Sequence, residues 1–191
     1  MSYRAAGLVL VFGLIATLLW RHELFTVQRP GDLPRDLVVI AEAGRRFTPV
    51  DAVLPAVPIG MRRVRAGDEV VLIHYWAPWQ DAALAQATAL DSLRRTPGLE
   101  RLRIEVVCFD PFPSVARFIA RNRLHLTVLL DHERSLAHLL PCPSVPYTYL
   151  LDRHGRIFVS QPGEVDWFAP ETRAVLNSVV RDEANAPEGA L

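Results

Sequence analysis

Val70 to Trp76 is apolar apart from His74, with no polar alternation, the pattern of a central strand covered on both faces. Asp81–Arg95 then places Ala83, Ala87, Leu90 and Leu93 on one stripe at helical spacing, and Pro97-Gly98 ends the helix. Leu102–Asp110 alternates at first (Leu102, Ile104, Val106) and then turns continuously apolar, which predicts a second strand. Pro113 and Ser114 open a helix with Val115, Phe118, Ile119 and Asn122 on its inner stripe. Val128–Leu130 reads as a short strand and Arg134–Leu140 as a short helix. Tyr147–Leu151 and Ile157–Ser160 flank Asp152-Arg153-His154-Gly155, a tight turn with glycine where a positive backbone angle is needed, so they form a hairpin. A closing helix covers Pro170–Arg181 with Leu176, Val179 and Val180 inward, and the polar tail from Asp182 is expected to be disordered.

Strand–helix–strand–helix followed by a hairpin and a last helix is a βαβ unit joined to a ββα unit. The first two strands are expected to run parallel through a right-handed crossover, and the hairpin adds antiparallel strands. The fold class is therefore α/β, a central mixed β-sheet with helices on both faces. Upstream, the chain from Leu24 to Arg65 is punctuated by Pro30, Pro34, Pro49, Pro55 and Pro58 and reads as a tether with an N-terminal elaboration, in which Leu37–Ala41 is a candidate edge strand. The expected organisation is a membrane anchor over 1–23, the Pro-rich tether over 24–66, the globular domain over 67–181 and the tail over 182–191.

The anchor rests on Gly7–Trp20, a continuous apolar run preceded by Arg4 and closed by Arg21-His22. It falls short of the roughly 20 residues that span a bilayer and overlaps a signal-peptide core in length. No small-x-small cleavage site follows, and Trp20 beside Arg21 suits the membrane interface, so an uncleaved anchor is favoured over a cleaved signal. The short N-terminal tail then stays on the cytoplasmic side and the domain is exported to the periplasmic or extracytoplasmic side of the inner membrane.

All 21 basic residues of the 191 are arginine, balanced by 21 acidic ones. Zero net charge argues against a nucleic-acid partner, because no surplus remains to neutralise a row of phosphates. The two cysteines, Cys108 and Cys142, are compatible with an oxidising compartment without requiring one.

Between the central strand and the first helix lies Trp76-Ala77-Pro78-Trp79-Gln80-Asp81-Ala82-Ala83. With the strand Val106–Asp110, Leu129-Leu130-Asp131, Val145-Pro146-Tyr147-Thr148, Leu151 to Ile157 and the final helix, this stretch resembles the membrane-anchored, thioredoxin-like thiol–disulfide oxidoreductases of the TlpA/ResA type. The resemblance covers 67–181. It implies a thioredoxin-like fold, an N-terminal anchor, and Pro146 as a cis-proline facing the active-site helix with Val145 before it. It also implies a Cys-x-x-Cys pair at the positions that Gln80 and Ala83 occupy here.

The family reaction needs a thiolate at a helix N-terminus, where unpaired N–H groups and the helix dipole lower a cysteine pKa from about 8.5 to about 3.5–7.5. A second thiol one turn later then resolves the mixed disulfide. An amide and a methyl group can do neither, so dithiol exchange is excluded by residue identity, and Asp81 is expected to serve the helix start. Cys108 reads as an inert core cysteine. Cys142, in Pro141-Cys142-Pro143 shortly before Pro146, is the alternative redox group, a single reactive thiol. The central strand is expected to hold the two sulfurs beyond the roughly 7 Å limit between Cα atoms for a disulfide.

His138 and Cys142 stand four apart, as copper or zinc ligands on a helix do, but they are two ligands at a helix end broken by Pro141; a metal-handling protein that uses them is a third, weaker reading, and no metal site is expected. His74 reads as a hydrogen-bonded buried histidine, and His132 and His154 as surface residues. No phosphate loop or Ser-His-Asp arrangement is visible, so no cofactor is expected. The reading that follows is a binding or assembly module for an exported or membrane protein partner. Its groove lies between Trp79 and the Val145-Pro146 loop, with Trp76, Trp79 and Tyr147 as apolar anchors and backbone groups available for strand addition.

Overall fold

The computed structural model describes residues 34–41, 45–67 and 69–185. The anchor over 1–23 and the end of the tail lie outside these residues. Among the described residues no helix is long and apolar enough to cross a membrane.

Seven strands form one sheet: β1 (Asp51–Val57), β2 (Met61–Arg65), β3 (Val70–Tyr75), β4 (Leu102–Cys108), β5 (Val128–Leu130), β6 (Tyr147–Leu151) and β7 (Ile157–Pro162), in the order β2-β1-β5-β4-β3-β6-β7. β3 pairs in parallel with β4 and β4 with β5, whereas β6 runs antiparallel to both β3 and β7. All six residues of β3 are buried, which is why its sequence shows no alternation.

Four helices follow their apolar stripes: α1 (Ala83–Leu93), α2 (Phe112–Asn122), α3 (Ser135–Leu139) and α4 (Pro170–Asn185). Ala83, Ala87, Leu90 and Leu93 of α1, Val115 and Ile119 of α2, and Leu176, Val179 and Val180 of α4 share one buried cluster with Leu72, Ile104 and Val106. The opposite face, with Val71, Ile73 and Leu151, is covered by Leu136 and Leu140 and by Ala52, Leu54, Ala56 and Val64 of the β1–β2 hairpin. Two layers thus sandwich the sheet.

Several boundaries differ from the sequence reading for physical reasons. The hairpin β1–β2 falls inside the stretch read as Pro-rich tether and N-terminal elaboration, and it joins the same sheet and compact unit as 67–181. Its prolines are placed where strands tolerate them: Pro55 is on the exposed side of β1, and Pro58 is in the turn, after a cis Val57–Pro58 bond. Leu37–Ala41 is not a strand; it runs over the outer edge of β7 with Ile40 N–H donating to Phe158 O at 2.7 Å. The final helix continues four residues past Arg181, to Asn185.

Buried charge ties the hairpin to the sheet. Glu105 of β4, fully buried, receives Arg62 Nε at 3.1 Å and Arg103 Nε at 2.6 Å, and Arg103 also donates to the backbone oxygen of Arg63. A carboxylate out of water needs such partners, since its isolated burial is strongly unfavourable.

Candidate functional site

The site forms where β3 and β4 end and β6 begins, the edge at which open α/β sheets present loops to ligands. Tyr75, the last residue of β3, pairs with Tyr147, the first of β6. The turn that leaves β3 and the loop that enters β6 thus start from the same end of one strand pair. The Val145–Pro146 bond that enters β6 is cis.

The chain between β3 and α1 is a tight self-bonded turn. Gln80 N–H donates to Ala77 O at 3.3 Å, Gln80 Oε1 accepts Ala77 N–H at 3.1 Å, and Ala83 N–H donates to Gln80 O at 3.0 Å. The Gln80 side chain thus satisfies a backbone donor of its own turn. Ala83 is buried, and its carbonyl accepts the Trp76 indole N–H at 3.0 Å. Asp81 does not cap: α1 starts at Ala83, its N-cap is Ala82 with no side-chain bond, and Asp81 is exposed just outside it.

Of the expected groove residues, Trp79 alone is broadly exposed, at 60%. Its indole N–H donates to Asp110 Oδ2 at 3.2 Å. Trp76 is not an anchor surface. It is buried, edge-on to Phe118 with ring centroids 5.0 Å apart, and works as a post under the turn. Pro146 is buried, and Val145 and Tyr147 are half-buried, with the Tyr147 hydroxyl 3.0 Å from Ser160 Oγ. The proline loop is tied at both ends, by Tyr149 Oη to Pro141 O at 2.5 Å and by Gly163 N–H to Pro146 O at 2.9 Å, with Tyr75 Oη on Leu140 O at 3.0 Å just before it and Cys142 Sγ on Ser144 O at 3.0 Å within it. Among the described residues the Val145 backbone N–H and C=O make no hydrogen bond.

Both cysteines are free. Cys108 belongs to the cluster under α1, whereas Cys142 packs against the cluster on the other face of the sheet, so the sheet itself keeps them apart. Burial raises the Cys108 thiol well above its ordinary range. Burial likewise pushes Cys142 up to about 12, against a smaller opposing pull from Arg134. Neither is an available thiolate at neutral pH.

Asp110, which sequence reasoning passed over, joins the parts. Its Oδ2 holds Trp79 and lies 3.5 Å from Cys108 Sγ, and its N–H donates to that sulfur at 3.3 Å. A carboxylate immediately after a buried parallel strand was the available signal.

His74 is fully buried, its Nδ1 3.0 Å from Thr148 Oγ1 and its ring edge-on to Trp167 at 5.3 Å, while Nε2 has no partner. Burial lowers it to about 3, so it is neutral. His138 is exposed on α3, and Cys142 donates to Ser144 rather than facing it. No group of three potential metal ligands occurs among the described residues.

This architecture is that of a thioredoxin-like protein. Among solved structures it is similar to a candidate thiol:disulfide interchange protein DsbE from Chlorobium tepidum, with a TM-score of 0.59 and 18% identity over 72% of this chain and 96% of that one. A candidate thioredoxin from Neisseria meningitidis matches with a TM-score of 0.60 and 18% identity, over 74% of this chain and 94% of that one. StoA from Bacillus subtilis matches at 0.56 and 16%, over 63% and 92%. No protein-family model and no curated protein sequence matches the chain. The chain has the thioredoxin-like fold.

Proposed function

We propose that this chain is a thioredoxin-like protein that has given up dithiol exchange, is held at the membrane by its N-terminal apolar segment with the domain exported, and binds an extended segment of an exported or membrane protein partner. The observation that carries the proposal is the turn at Gln80. An amide hydrogen-bonded to its own backbone and a buried methyl group stand at the two positions where the resembling oxidoreductases hold sulfur. What remains is a binding surface: the exposed Trp79 ring, and the unused backbone pair of Val145 on a loop tied at both ends. A partner strand can pair with such a backbone without any sulfur. The alternative, single-thiol chemistry at Cys142, is opposed by that sulfur's burial and its bond to Ser144 O.

The test is recovery of partners from the native membrane with the full chain and with Trp79→Ala. The binding reading predicts partners that Trp79→Ala loses and Cys142→Ser keeps. Partners retained by Trp79→Ala, or trapped through Cys142 as mixed disulfides, would overturn it.

A further inference from the structure

Formal neutrality of the whole chain hides a separation of charge between the two ends of the sheet. Four segments build the groove end: 76–82 after β3, 109–114 after β4, 141–146 before β6 and 163–169 after β7. Together with 131–134 after β5, which leaves the sheet at the same end, they carry Asp81, Asp110, Asp131, Glu133, Glu164 and Asp166 against His132 and Arg134. At the opposite end, Arg94, Arg95, Arg101 and Arg123 are exposed on the turns that lead into β4 and β5, with Arg121 in the last turn of α2 and Glu100 as the one acid among them. The acidic end also holds exposed aromatic rings, Trp79 at 60%, Phe112 at 47% and Phe168 at 49%. Trp79 and Phe112 are linked through Asp110, which holds the Trp79 indole and lies two residues before Phe112.

Cations from neighbouring segments reach this end at Phe109, Pro113 and Glu164, while among the described residues no cation pairs with Trp79 or Asp81. On the loop after β5, His132 Nδ1 lies 3.0 Å from Phe109 O, and the Arg134 guanidinium sits 4.6 Å over the Phe109 ring. Arg117 Nε donates back along α2 to Pro113 O, and Arg35 runs beside Glu164, with Arg35 N–H on Glu164 O at 3.0 Å. Asp166 Oδ1 accepts Phe168 and Ala169 N–H, both at 3.1 Å. Asp81 is left exposed, next to Gln80 and two residues from Trp79.

From this arrangement we infer that the segment recognised at the groove is basic: an extended peptide bearing arginine or lysine beside an apolar side chain. The ring faces of Trp79 and Phe112 attract a cation through their quadrupoles, and the carboxylates of Asp81 and Asp110 add a field of the same sense. The free Val145 N–H and C=O align the backbone. The inference rests on the binding proposal and specifies the partner's chemistry.

Three labelled peptides of equal length, alternating leucine with arginine, serine or glutamate, are titrated by fluorescence anisotropy against the full chain in detergent. The arginine peptide is expected to bind at least about tenfold tighter than the serine peptide and to weaken between about 50 and 200 mM salt as screening grows. Asp81→Asn is expected to weaken the arginine peptide alone by about two- to fivefold, the range of one exposed charge pair. Trp79→Ala is expected to weaken all three. Equal binding of the arginine and serine peptides, both lost in Trp79→Ala, would overturn the charge preference and leave the groove standing. Binding of no peptide, or binding indifferent to Trp79→Ala, would overturn the groove itself.

Discussion

Gln80 Oε1 accepts the backbone N–H of Ala77 at 3.1 Å, so the side chain at the position where the resemblance would place a first cysteine closes its own turn. The frame around it keeps its shape. If only the sulfurs are missing, restoring them restores chemistry. Gln80→Cys/Ala83→Cys is expected to gain catalytic insulin reduction and a disulfide between the two substituted positions. The thiol introduced at position 80 should titrate below the ordinary value of about 8.5, because it lies at the amino end of α1. Thiolate absorbance against pH and the turbidity assay read both outcomes. A double variant as inert as the native chain would mean that the frame itself has been lost.

Cys142 is expected to react slowly. A thiol raised to about 12 is ionised at pH 7.5 about a thousandfold less than an ordinary cysteine. Alkylation with iodoacetamide, followed by mass spectrometry, should leave both Cys108 and Cys142 unmodified in the native state and label them rapidly in denaturant.

His74 makes stability depend on pH in a stated direction. Its folded pKa is depressed to about 3, against about 6.5 in the unfolded chain, so between those values the unfolded state binds the extra proton. The stabilisation from keeping His74 neutral is fully present above about pH 6.5 and falls away as pH drops toward 3, at about 1.4 kcal/mol per pH unit at most. Urea unfolding at pH 7, 6, 5 and 4 should show that loss in the native chain and a shallower one in His74→Gln.

Gly155 is required by geometry rather than by preference for a turn. Its φ is +82°, and an added Cβ would lie 2.8 Å from the Thr48 carbonyl oxygen, a backbone atom that accepts no displacement cheaply. Gly155→Ala is expected to cost about 1–3 kcal/mol, measured as a lower urea midpoint at unchanged slope.

Periodicity revealed the elements whose side chains alternate between water and core, or never meet water. β3 announced itself because all six residues are buried, and α1 because Ala83, Ala87, Leu90 and Leu93 pack inward. β1 and β2 were hidden by Pro55 and Pro58, which local chemistry assigns to loops but which here occupy an exposed strand position and a turn. The cis Val145–Pro146 step before β6 and the turn at Gln80 between β3 and α1 could be read because they follow from element order. The burial of Trp76 and the role of Asp110 could not, because both depend on side-chain directions at the strand ends. Charge summed over the chain gave zero and concealed the acidic groove end, which only the topology assembles.

The central claim is that no electrons pass at the start of α1. Disulfide reduction by the native chain, compared with Cys108→Ser/Cys142→Ser, tests it most directly. Both proteins are expected to match the uncatalysed rate of the thiol reductant alone. Turnover by the native chain that disappears in the double variant would contradict the claim and return the activity to one of the two remaining sulfurs.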